Sequence, residues 1–96
     1  MRVDVGDLAA HWATEVTKAA HERGIPLTAG TDGISIFDEF ETLVNSVGLT
    51  PLEVLTSATS VGAVAIGAGA DLGTVEEGKA ADLVVYRSDP STNIRN

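Results

Sequence analysis

The chain has 96 residues, 44% of them hydrophobic, with a mean hydropathy of +0.16, which suffices for one modest core and is too apolar for a disordered linker. Its 14 acidic against 6 basic residues give a net charge of −8, and the repulsion disfavours nucleic acid or an anionic membrane surface as partner. With no cysteine, no apolar leader after Met1 and no run near the roughly 20 apolar residues of a membrane span, a soluble chain is expected, placed in the cytoplasm by the lack of disulfides.

A first helix is predicted from about Val5 to Arg23, because Leu8, Trp12, Val16 and Ala20 recur every fourth position and so share one face. Gly24 stops it. The short stretch Ile25 to Asp32 is rich in small and β-favouring residues, with Pro26 at its entrance, and predicts a strand. A turn through Gly33 leads to Ser35, which with Asp38 forms a capping-box-like start for a helix bearing Phe37, Phe40, Leu43, Val44 and Val47 and ending at Gly48.

Thr50-Pro51-Leu52-Glu53 is a stronger start signal, with a Thr cap, Pro at the first helical position and Glu placed to bond back to the cap amide. The helix it opens is expected to reach about Ile66. Its surface is apolar or small almost all round, so burial against more than one neighbour is expected. Beyond Gly67, Leu72 to Glu76 and Asp82 to Arg87 carry β signals, with Glu77, Gly78 and Lys79 near the connection, which predicts a hairpin or paired strands. The polar tail after Pro90 is expected to fray.

Three passages, in order, carry a family resemblance: Ala20-His21-Glu22-Arg23-Gly24-Ile25-Pro26-Leu27-Thr28-Ala29-Gly30-Thr31-Asp32, Gly48-Leu49-Thr50-Pro51-Leu52-Glu53-Val54-Leu55-Thr56-Ser57-Ala58-Thr59, and Leu72-Gly73-Thr74-Val75-Glu76-Glu77-Gly78-Lys79-Ala80-Ala81-Asp82-Leu83-Val84-Val85. Together they resemble the C-terminal portion of metal-dependent amidohydrolases of the imidazolonepropionase-like and prolidase-like kind. The resemblance implies an α/β fold: a partial TIM-barrel segment of helix, last barrel strand and two helices over residues 1–70, then a C-terminal β pair and tail over residues 71–96 that join a small composite domain. A whole barrel typically takes about 250 residues, so only its last part is expected here.

The resemblance also implies a role for Asp32, which falls where such enzymes place catalytic groups, at the C-terminal end of a strand. Its carboxylate would ligate a divalent metal, zinc by preference, or accept a proton from the activated water and deliver it to the leaving nitrogen. Read locally, Asp32 before Gly33 is equally an ordinary turn pair. A catalytic zinc commonly has three protein ligands, most often histidines. Only His11 and His21 are present, ten residues apart on one predicted helix and so about 15 Å apart along its axis. They cannot chelate one ion together with Asp32, and each reads more simply as a packed or helix-end side chain.

The family's His-x-His pair, later histidines and lysine have no counterpart in the chain, and no histidine stands near Phe37 or Asp38, where relatives often carry one. No metal is therefore expected in the isolated chain. Asp38, Glu39 and Glu41 read as a solvated helix surface, and Asp82 as a residue fixing backbone amides. The expected function is that of a C-terminal fragment of a hydrolase of amide or other C–N bonds, inactive alone, whose partner is the missing barrel portion or a second copy. A noncatalytic self-associating module and one half of a split hydrolase are the alternatives.

Overall fold

Thr50 illustrates how local chemistry sets the helices. In the computed structural model, which describes residues 5–31, 33 and 35–96, with side chains from Leu8 onward, its hydroxyl accepts from the Glu53 N–H at 3.2 Å while Glu53 Oε1 accepts from the Thr50 N–H at 3.0 Å. This reciprocal capping box, with Pro51 at the first helical position, opens α3 (Pro51–Ala58) as the sequence predicts. Before it lie α1 (Val5–Glu22) and α2 (Ile36–Thr42), the latter running straight into a π-helical turn, Leu43–Val47, that ends at Gly48. After it comes α4 (Ser60–Ala65).

The single helix expected from Leu52 to Ile66 is thus two, broken at Thr59, whose φ of −120° and ψ of −92° leave the helical region. The hydroxyls of Thr56, Ser57 and Thr59 accumulate at the break and donate to the Leu52, Val54 and Leu55 carbonyls at 2.8, 2.7 and 2.7 Å. Such back-bonding competes with the backbone ladder and bends helices. Nor is this region buried on all sides, since Leu52, Val64 and Ile66 are each more than half exposed.

Among the described residues no strand forms, which overturns the expected α/β partial TIM-barrel segment with its last barrel strand and C-terminal β pair. A strand is held by a neighbouring backbone, and a two-stranded hairpin without a third strand or a packed helix is marginal in water. Residues 25–31 are not assigned to a strand, and the Gly30 N–H goes to a side chain. Near the connection of the two C-terminal β segments, backbone bonds run from Ala80 N–H to Asp71 O at 2.8 Å and from Lys79 N–H to Glu76 O at 3.2 Å, neither of them a strand ladder, and Val75 and Val85 stand 87% and 94% exposed. Lys79 fixes that connection, reaching Gly69 O at 2.7 Å, Thr74 Oγ1 at 2.8 Å and Glu76 Oε2 at 2.8 Å. Gly73 lies so close to α4 that a Cβ there would sit 2.6 Å from the Ala63 methyl.

The core is small: Phe40, Leu43, Val47, Leu49 and the fully buried Val54, flanked by Leu27, Ala29, Ile36, Val44 and Ile94. Ile94 ties down the tail that was expected to fray, helped by an Asp89 turn with Ser91 and by Arg95 Nε 3.4 Å from Glu41 Oε1. The Leu8, Trp12 and Val16 face of α1 is not covered, at 47%, 63% and 64% exposure. The radius of gyration is 15.1 Å, against about 12.5 Å for a compact chain of this length. The accessible surface is 7178 Å², against about 5,200 Å² for a compact monomer of this mass.

Candidate functional site

Asp32 lies outside the described residues, but the backbone on both sides of it is defined. Upstream, Leu27 and Ala29, two residues apart in an extended segment, turn their side chains against the core. The intervening geometry leaves the Gly30 N–H facing α2, where it donates to Glu39 Oε2 at 2.5 Å. Thr31 is half-buried. Downstream, Gly33 has φ +97°, a conformation that costs any side chain, which explains glycine directly after the aspartate. Ser35 then caps α2, its Oγ accepting from the Phe37 N–H at 3.3 Å, and the expected contribution of Asp38 to a capping box is not part of that cap.

A second concentration of polar groups sits where the end of α1 meets the start of α3. His21 Nε2 is 3.4 Å from Glu53 Oε2, so the carboxylate that closes the capping box also faces the imidazole. The Thr50 backbone N–H, then the Thr50 hydroxyl and more weakly His21, hold the Glu53 carboxyl below its ordinary value of 4.5. An open cleft of about 550 Å³ adjoins this pair, with Ile25, Leu27, Leu49 and Ser57 among its walls. His11 is engaged elsewhere, edge-on to Trp12 with ring centroids 6.5 Å apart.

The histidines therefore part company, as their helical spacing predicts. Among the described residues, which do not include Asp32, no group of three or more His, Asp or Glu side chains converges as a metal site needs. The acidic residues of α2 are more engaged than a solvated surface implies: Glu41 meets Arg95 and Glu39 holds Gly30. Sequence reasoning missed Glu39, because the pairing spans nine residues and depends on how the 25–31 segment lies against α2. No helix among the described residues is long and apolar enough to cross a membrane.

Comparison with known proteins places this geometry in a family. The sequence profile of the Amidohydrolase family matches residues 8–96. Imidazolonepropionase from Shouchella clausii is 37% identical over 76 residues, covering 72% of this chain, and that from Caldanaerobacter subterraneus is 37% identical over 71 residues, covering 67%. The chain spans 17% of the length of each. A crystal structure from Bifidobacterium longum, provisionally assigned as a prolidase, superposes with a TM-score of 0.81 at 35% identity, over 85% of this chain and 22% of that one. The chain belongs to the amidohydrolase family.

Proposed function

We propose that this chain contributes Asp32 to a metal-dependent hydrolase of amide or other C–N bonds and is inactive without the remaining donors. The observation that carries this reading is the family match over residues 8–96, which includes the Gly30-Thr31-Asp32-Gly33 sequence. The similarity to imidazolonepropionases and to a prolidase-like structure supports a C–N bond as the one cleaved. The family is generally metal-dependent, and a metal such as zinc makes water a nucleophile at neutral pH. Its nitrogen ligands would come from outside these 96 residues, which contain two dispersed histidines. Asp32 would either join those ligands or take the proton from the attacking water as its oxygen bonds the substrate carbon, then pass it to the nitrogen as the C–N bond breaks. A cytoplasmic setting accords with the absence of cysteine.

The test is reconstitution with a separately produced polypeptide carrying a His-x-His pair and the rest of an amidohydrolase. Hydrolysis is expected only from the mixture, and Asp32→Asn is expected to lower it by about 100-fold or more, the scale of a general base. A full rate with Asp32→Asn contradicts the reading. The exposed apolar side chains on α1 favour a second one, a noncatalytic module that associates with itself.

A further inference from the structure

We propose that the uncovered face of α1 is a self-complementary docking surface, on which a second copy of this chain packs around Trp12. The inference rests on the second reading above, self-association, and names the surface responsible for it.

The side chains that α1 turns toward the body are polar. Thr14, Thr17, Lys18 and His21, spaced three and four apart and so on one face, are half-buried, and α1 packs on the π-helical turn Leu43–Val47. Leu8, Trp12 and Val16 recur every fourth position on a different face and are exposed. An amphipathic helix ordinarily buries its apolar stripe. Here that stripe points outward, and the chain's own fold leaves it uncovered.

A second copy suits this stripe in shape, charge and area. Ala9 and Ala13, three positions before Trp12 and Val16, are also exposed and give the face a shallow hollow beside its largest side chain. In a twofold contact the same patch serves both partners, so each Trp12 ring can seat between the small residues of the other copy. The stripe carries no charge, and Glu15 on its flank is offset by Lys18, with Nζ 3.9 Å from Oε1, so little of the net −8 is concentrated at the contact. The accessible surface exceeds that of a compact monomer by about 2,000 Å², against roughly 800 Å² from each partner in a standard interface. Tryptophan is also among the side chains enriched as anchors at the centre of such contacts.

Trp12 is the only tryptophan, so the chain carries its own reporter of this contact. The test is sedimentation equilibrium of the 96-residue chain, with tryptophan emission recorded over the same concentrations. The mass is expected to rise toward the dimer at micromolar concentration, with a blue shift of Trp12 emission that follows it. Trp12→Ala, a change that favours helix, is expected to weaken dimerisation by about 30-fold or more, the loss of an anchor residue, with the far-UV helical signal retained. Val16→Asp should also dissociate the dimer and hold the emission at its monomer wavelength. Leu83→Ala, in the other exposed apolar run, should change neither mass nor emission. If the mass rises while Trp12 emission stays fixed, or if Leu83→Ala and not Trp12→Ala dissociates the dimer, the chain associates through another surface and this inference alone fails. A monomer at every concentration refutes self-association and the inference with it. So does Trp12 emission that shifts only on adding a polypeptide with the rest of an amidohydrolase, which would give the stripe to that partner.

Discussion

Glu53 serves two partners with its two oxygens, the Thr50 amide through one and His21 through the other. The amide bond is local and sequence-encoded: a hydroxyl residue, a proline and a glutamate within four positions suffice to specify it, and it forms as read. The Gly30–Glu39 bond was not legible in the same way, because nothing in the residue types tells a surface glutamate from one that meets a distant amide. Thr50→Ala is expected to destabilise the chain by about 1 kcal/mol, read as a lower urea midpoint with an unchanged slope. The Glu53 carboxyl is depressed in the folded state, so its stabilisation is complete above the ordinary value of 4.5 and is lost as pH falls through the lower folded value. Urea titrations of the parent and Glu53→Gln should therefore differ at neutral pH and converge in acid. Gly33→Ala should cost about 1 to 2 kcal/mol by forcing a side chain into the left-handed region, measurable in the same way.

At the scale of elements, the sequence predicts helices better than strands, for a physical reason. A helix satisfies its backbone within itself, so the periodicity of residues 5–22 and the cap at Thr50 are sufficient information. A strand's donors and acceptors need another chain segment, and the β-favouring composition of residues 25–31 and 82–87 cannot supply one. The Thr59 break was missed because the back-bonding of three hydroxyls is invisible to an apolar-pattern reading. Thr59→Ala removes the hydroxyl at the break and is expected to join α3 to α4, raising the far-UV helical signal without loss of stability. An unchanged spectrum would place the cause of the break elsewhere. Val54, with no exposed surface, is the centre of the small core, and Val54→Ala should cost about 2 kcal/mol in a denaturant titration.

The whole molecule carries about 2,000 Å² more accessible surface than its mass requires. A standard protein interface takes only about 800 Å² from each partner, so the surplus is large enough for a substantial contact. Leu8, Trp12 and Val16 on α1 and the run Leu83 to Val85 supply its apolar part. The net charge of −8 opposes self-association at low salt. Light scattering at micromolar concentration is expected to give a mass above the monomer that increases with ionic strength, as screening removes the repulsion and leaves the apolar contact intact. A monomer throughout would show that this surface is tolerated in water.

Family membership was readable from three sequence passages, whereas the arrangement around them was not, since it depends on which surfaces meet. The most direct measurement is a hydrolysis assay of the purified 96-residue chain on amide and cyclic C–N substrates with added zinc. No turnover above background is expected, because a single strategic carboxylate lacks its nitrogen-donor companions. Steady turnover that a chelator stops and Asp32→Asn abolishes would show that these residues complete a hydrolase by themselves, contrary to this account.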